Sequence, residues 1–298
     1  MNIPDYHEGA LVSIFNLDGT VEVSIGGVEL GQGINTKVAQ VVAYTLGIPL
    51  EDVAIAITST AKTPDNSNTG GSGTSECCAR AAQVACEELN ARLAPFKAKA
   101  KSWIDALNVA QKAGVALAAY GSYQGADPNN HFPYATYGVS CSEVEIDVLT
   151  GEIQILRADI HMDLGISLNP MIDIGQLEGG FVMTLGYLFT ETSLYDAGHH
   201  QLNLGTWEYK IPSAYDIPIE LNVSLLGVPN PASAGCMKSK ASAEPSMPTA
   251  ISALFAVKQA IYAAREDAGD KSWFNLNIPC TVEQVQQHCL VTKERFVV

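Results

Sequence analysis

Residues 139 to 162 read VSCSEVEIDVLTGEIQILRADIHM. Apolar and polar side chains alternate on both sides of Thr150-Gly151. Period-two alternation around a glycine turn is the pattern of an antiparallel hairpin with one buried and one wet face. Glu143, Glu145 and Asp147 share a side, most simply the wet one. This stretch sets the class of the fold: antiparallel sheet that helices must cover.

Toward the N-terminus, residues 11–17 (LVSIFNL), the turn Asp18-Gly19-Thr20 and the alternating VEVSI of 21–25 predict a second hairpin. The glycine-rich stretch GGVELGQG, 26–33, leads into a helix over 34–46 with Val38, Val41, Val42 and Leu46 at helical spacing. A strand is expected over 53–60. The loop AKTPDNSNTGGSGT, 61–74, has almost no apolar side chains and runs into a helix beginning near Ser75 and spanning 77–93. A Gly-Gly-Ser-Gly run before a helix serves as a wet linker, or presents backbone N–H groups to an anion or a flat cofactor. Cys78, Ala82, Ala85, Cys86 and Leu89 lie on or near one face of that helix, so its cysteines read as small buried hydrophobes. A weaker helix over 102–113, an apolar run over 115–123 and a polar loop over 124–135 follow.

Toward the C-terminus, a helix is expected over 172–190 with Gly175, Gly179, Gly180 and Gly186 inside it. Each interior glycine costs roughly 1 kcal/mol of helix propensity. A close backbone, a ligand or a break in the helix would compensate. Residues 207–213 read as a loop or short strand, 217–226 as a strand, 249–264 as a helix, 282–289 as a short helix and 295–298 as a last strand. The fold class is α+β, with mixed or antiparallel sheets and packed helices. No G-x-G-x-x-G, P-loop, G-x-S-x-G or H-E-x-x-H stands in a valid context.

With 298 residues the chain holds one large domain or two ordinary ones. Its 17 basic residues against 32 acidic ones give a net charge of −15, which argues against nucleic acid and acidic membranes as partners. The seven cysteines are odd in number and form no Cys-x-x-Cys pair, which argues against a disulfide framework and against a protein-held zinc or iron–sulfur site. His199-His200 lie in a polar loop and read as solvent-exposed rather than as metal ligands. A reducing compartment fits this cysteine usage. No apolar run reaches the roughly 18 residues that span a bilayer, and the first residues lack a basic-then-apolar leader. Charged residues make up 16%, below the usual quarter, which hints that part of the surface is covered by something else.

The stretch KASAEPSMP, 240–248, places one carboxylate, Glu244, among Ala241, Ala243 and Pro245 ahead of an apolar helix. It reads as a helix-mouth acid or as a catalytic base. Partial desolvation would raise its pKa, and a helix N-terminus would lower it.

Six stretches, in order along nearly the whole chain, resemble the molybdenum-binding part of the xanthine dehydrogenase / aldehyde oxidase family. They are GGVELGQGINTK (26–37), TPDNSNTGGS (63–72), YGVSCSEVEID (137–147), LNPMIDIGQLEG (168–179), YKIP ending at Pro212 and SKASAEP ending at Pro245. The resemblance implies a cofactor-binding fold that is incomplete relative to the family. Residues 1–136 and 137–298 would be portions of two molybdopterin-binding subdomains, with interleaving allowed. It implies a molybdenum–molybdopterin cofactor whose metal is held through the pterin dithiolene, with no direct side-chain ligand. Gly31, Gln32 and Gly33, then Gly70, Gly71 and Ser72, then Gln176 match the family's cofactor contacts. Glu244 matches its catalytic glutamate, and Glu178 reads as structural.

The implied reaction is hydroxylation of a purine carbon with water as the oxygen source, as in xanthine dehydrogenase. An aldehyde oxidase-like hydroxylase is the alternative, and a non-catalytic fragment or assembly subunit is a third reading. FAD, two 2Fe–2S clusters and the first half of the molybdenum domain would lie upstream in one parent chain or in partner subunits. A truncated gene, a split subunit and a partial chain all fit the abrupt strand at Leu11. The resemblance further implies a homodimeric parent enzyme, a cytoplasmic or peroxisomal setting, and little turnover by this chain alone. The family commonly has Gly before the catalytic Glu and Pro-Pro after it, where this chain has Ala243, Pro245 and Ser246. It often has Ala-Ala-Ser where this chain has Gly70-Gly71-Ser72.

Overall fold

The computed structural model describes residues 7–64, 66–124, 134–231 and 235–292. The chain divides into two units. One gathers residues 1–136, 164–173 and 227–241, the other 137–163, 174–226 and 242–298.

In the first unit, β1 (His7–Ile14), β2 (Val21–Ile25), β3 (Val53–Ile55) and β4 (Ala118–Gln124) form a sheet of order β3-β2-β1-β4. The expected hairpin forms, with Ile14 opposite Val21. Its turn is held by Asp18, whose Oδ1 accepts from Thr20 N at 3.0 Å, and by Gly19 at φ 79°. β3 stops at three residues rather than the expected eight, because it pairs in parallel with Val21–Val23 alone. Ile57, beyond that pairing, is exposed.

The helices α1 (Ile34–Leu46), α2 (Thr74–Lys97) and α3 (Trp103–Lys112) lie in the same unit. α2 runs past the expected end at 93 and through Pro95. A proline in the last turn removes only one hydrogen bond, so the helix tolerates it there. α2 packs on β1 and β4 and against α1. Val12, Val23 and Ile25 from the sheet, Ile34, Val38 and Val42 from α1, and Cys78, Cys86, Leu89 and Leu93 from α2 are fully buried in one core. Each large aliphatic side chain there contributes roughly 1.5–3 kcal/mol. The sheet lies so close to α2 that a Cβ on Gly121 would fall 2.0 Å from Ala81 O. Only glycine fits at that point of β4.

In the second unit, β5 (Gly138–Ile146), β6 (Ile153–Met162) and β7 (Glu220–Leu225) form a sheet of order β5-β6-β7. The β5–β6 hairpin is the one expected, and Glu143, Glu145 and Asp147 are exposed. The alternation is less regular than it reads. Glu143 lies opposite Arg157 but Val144 lies opposite Ile155, so Leu156 is an extra residue in β6. This bulge switches the phase of the strand, which is why Ile155 and Ala158 are both buried.

α4 (Pro170–Phe189) begins in the first unit and continues in the second from Ile174. It starts two residues earlier than expected. Asn169 Oδ1 accepts from Ile172 N at 3.1 Å, and Pro170 occupies the first helical position. Leu177, Phe181, Leu185 and Leu188 form its buried stripe. The helix expected over 249–264 is α6 (Ile251–Asp267), preceded by a short helix not expected, α5 (Ala243–Ser246), and a 3₁₀ turn (Met247–Ala250). α6 covers β5, and α7 (Val282–His288) follows. Most of the expected loop over 124–135 and the expected strand over 295–298 lie outside the described residues. Among the described residues no helix is long and apolar enough to cross a membrane.

Candidate functional site

The loop of residues 26–33 closes on itself. Glu29 accepts from Gly31 N, Gly33 N and Asn35 N at 3.0, 2.9 and 3.1 Å, so a carboxylate four residues upstream of Gly33 caps α1. Gln32 braces the same turn. Its Oε1 accepts from Leu30 N at 2.6 Å, and its Nε2 donates to Val28 O at 2.8 Å. Gly31 and Gly33 both take positive φ, 107° and 71°.

The second glycine loop lies beside the first. Val28 N donates to Thr69 Oγ1 at 3.0 Å, and a Cβ on Gly27 would meet Thr74 and Cys78 of α2. Gly71 and Ser72 are consecutive left-handed residues, at φ 62° and 55°, separated from α2 only by its cap residue Gly73. Such a conformation disfavours a side-chain residue like Ser72 by roughly 1–2 kcal/mol. Gly70 N donates to Thr74 Oγ1 at 3.1 Å. In the first turn of α2, Ser75 Oγ is shielded from solvent and has no hydrogen-bond partner among the described residues.

α1 is also tied to the start of α4. Lys37 Nζ lies 2.6 Å from Asp173 Oδ1, with both side chains almost wholly buried, and Ser167 Oγ donates to Asp173 Oδ2 at 2.5 Å. Gln40 accepts from Asn169 Nδ2 at 3.1 Å.

In the second unit, Gln176 and Glu178 stand half-buried on α4. Glu244 is exposed in the first turn of α5. Ser246 is fully buried, and its Oγ donates to Ala243 O at 2.8 Å. A Cβ on Gly180 of α4 would fall 2.3 Å from Ser246 Oγ. The helix that carries Gln176 therefore packs against the turn that carries Glu244. The fold thus joins the Gly31–Gly33 and Gly70–Ser72 loops within one unit, and the elements of Gln176 and Glu244 within the other. Sequence reasoning did not single out Glu29, Ser75 or Ser246 as site-shaping residues. A carboxylate four residues before a helix-opening glycine was a usable signal for Glu29, and Ser246 was marked only as a departure after Glu244; Ser75 carried none.

The chain matches the molybdopterin cofactor-binding domain over residues 2–218. It belongs to the xanthine dehydrogenase / aldehyde oxidase family of molybdenum hydroxylases. It is 42% identical over 298 residues to Xanthine dehydrogenase 1 of Arabidopsis thaliana, covering 94% of this chain and 22% of that protein. It is 43% identical over 293 residues to the xanthine dehydrogenase of Drosophila pseudoobscura pseudoobscura, again covering 94% and 22%. Its fold is similar to quinoline 2-oxidoreductase from Pseudomonas putida 86, with a TM-score of 0.80, 25% identity, and coverage of 95% of this chain and 38% of that one. The chain thus spans about a fifth of the length of these xanthine dehydrogenases. Its α+β fold is that of the molybdenum hydroxylase cofactor-binding domain, present in part.

The donor set suits a molybdopterin in kind. Next to the Gly70–Ser72 loop stands the orphaned Ser75 hydroxyl. Gln32 spends one amide hydrogen on Val28 O, and an –NH₂ group has two. Backbone N–H groups, hydroxyls and amides hold a polar heterocycle and its phosphate by hydrogen bonds.

Two buried carboxylates in the first unit add a pH dependence. Glu8 is fully buried beside Cys78, whose Sγ lies 3.5 Å from Glu8 Oε2, while Glu8 Oε1 has no partner among the described residues. Burial pushes its pKa up to about 7. Glu76, in the first turn of α2, is also pushed up to about 7 by burial, although Tyr134 Oη donates to it at 2.6 Å. The folded state therefore holds two protons that the unfolded chain releases near 4.5. Their stabilising effect is fully present below pH 4.5 and is lost as pH rises through 7, on the order of 3 kcal/mol per carboxylate. Urea unfolding at pH 5.5 and pH 8 should find the chain weaker at pH 8, and Glu8→Gln should shrink that difference by about half. An unchanged difference in Glu8→Gln would rule out Glu8 as its source.

Proposed function

We propose that this chain is the C-terminal molybdenum-cofactor-binding portion of a xanthine dehydrogenase-like enzyme that hydroxylates a purine carbon with oxygen from water. The observation that carries the reading is the pairing of the family's motifs in the fold. The Gln32 and Gly70–Ser72 loops touch through Val28 and Thr69, and the helix of Gln176 packs on the turn of Glu244. Identities of 42–43% to two xanthine dehydrogenases favour a purine over an aldehyde.

Gly70, Gly71, Ser72 and Ser75 would hold the cofactor with backbone N–H and hydroxyl groups. Gln32 would add its second amide hydrogen, and Gln176 a side-chain amide. When bound, the molybdopterin supplies the two-electron redox chemistry. Glu244 takes a proton from the attacking oxygen and is restored to the carboxylate when that proton leaves to solvent. A positioned base of this kind typically accounts for 10²- to 10⁴-fold of rate. Partner domains or subunits carrying FAD and 2Fe–2S clusters would accept the electrons, so this chain alone should not turn over.

The test is elemental mass spectrometry of the natively purified protein, with its co-purifying chains identified. Near-stoichiometric molybdenum together with an iron–sulfur and flavin partner is expected. Protein without molybdenum in the presence of such a partner would sink the reading. So would xanthine oxidation by the isolated chain with an artificial acceptor sink the expected need for partners.

A further inference from the structure

We infer that Gly180 and Ser246 form a matched pair that sets where the Glu244 turn lies on α4, which makes Gly180 a positioning residue for Glu244. The inference rests on the proposed role of Glu244 and adds the contact that places it.

Four glycines stand inside α4 after its first turn, and they are not equivalent. A Cβ on Gly175 or Gly179 would meet nothing within 4 Å. A Cβ on Gly180 would lie 2.3 Å from Ser246 Oγ and 2.7 Å from Ala243 O. Both atoms belong to α5, the four-residue turn in which Ala243 and Ser246 bracket Glu244 and Pro245. Ala243 O is backbone and cannot rotate away. The Ser246 hydroxyl is not free to leave either, because it is buried and donates to Ala243 O at 2.8 Å. Ser246 O in turn accepts from Thr249 Oγ1 at 2.6 Å, which fixes the following turn. A side chain at 180 would therefore push the whole turn off the helix.

Ser246 Oγ closes the turn onto Ala243 O and occupies the space that the absent Gly180 side chain leaves. The local hydrogen bond and the missing Cβ are two halves of one arrangement. Its consequence is catalytic, since a misplacement of about 1 Å can cost on the order of 10² in rate.

The experiment uses the 298-residue chain and needs neither cofactor nor turnover. The amide signals of Ala243, Glu244 and Ser246 and the side-chain carboxyl signal of Glu244 are followed by NMR in four variants: Gly180→Ala, Gly175→Ala, Ser246→Ala and the Gly180→Ala/Ser246→Ala pair. Gly175→Ala should raise Tm and leave these signals in place, as expected for glycine removal from an open helix position. Gly180→Ala should lower Tm and move these signals, and Ser246→Ala added to it should bring them part of the way back. The pair is overturned if Gly180→Ala behaves like Gly175→Ala, or if Ser246→Ala changes nothing on top of it. Should Gly180→Ala fail to fold, Ser246→Ala alone decides: unmoved Glu244 signals overturn the inference, and moved ones support it. Because the readout is local, it can succeed even if Glu244 proves not to be the base, and it can fail while the proposed reaction stands.

Discussion

In the proposed xanthine dehydrogenase-like enzyme, Glu244→Gln is expected to lower turnover of a purine by about 10²- to 10⁴-fold while molybdenum content stays unchanged. The substitution keeps the shape of the side chain and removes its negative charge and its capacity to take a proton. Glu244 is exposed in the short α5 turn, so the change should leave folding within about 0.5 kcal/mol. The loss would then belong to the chemical step. Glu178→Gln is the control, because Glu178 is a nearby half-buried carboxylate on α4 with no catalytic part in the proposal. It should stay within a few-fold of the parent. Steady-state rates with elemental analysis of both variants decide the matter. A Glu244→Gln enzyme with full molybdenum and near-parent turnover would remove Glu244 from the mechanism.

Asp173→Ala is expected to destabilise the chain by about 3–5 kcal/mol. Asp173 neutralises Lys37 at 2.6 Å in a setting where both side chains are nearly inaccessible to water. It also accepts from Ser167. Removing the carboxylate leaves an ammonium in a dry environment, which costs far more than a surface pair of the same length would. Asp173 also sits in the first turn of α4, where a negative charge is favoured. Lys37→Met added to Asp173→Ala should recover most of the loss, because it removes the stranded charge. Urea unfolding of the two variants checks this. A double variant no more stable than Asp173→Ala would show that the loss comes from helix capping rather than from the ion pair. The position matters to the candidate site because Lys37 follows the Gln32 loop and Asp173 lies three residues before Gln176 in the sequence.

Local patterns were legible wherever one physical rule dominates. The 139–162 hairpin, the turn at Asp18-Gly19 and the helix over 34–46 each follow from alternation, turn chemistry or helical spacing, and they appear at or near the expected bounds. The family was legible from six ordered motifs. What was not legible depends on partners distant in the sequence. β3 lasts only as long as its parallel pairing with Val21–Val23 of β2, so its length is set by a partner strand. The bulge at Leu156 arises from register with β5, and alternation read along one strand cannot reveal it. The glycines of α4 look alike in the sequence, yet only some of them face a neighbour closely.

The sequence by itself determined the α+β class, the order of the motifs, the membership of the family and the identity of the candidate groups, Gln32, Gly70, Gly71, Ser72, Gln176 and Glu244 among them. Each of these depends on residue type and spacing, which the chain carries locally. Tertiary structure alone decided that Glu8 and Glu76 hold protons near neutrality, and that Gly180 must be bare beneath Ser246. Those properties are set by burial and by contacts across tens of residues, and neither exists until the chain has folded.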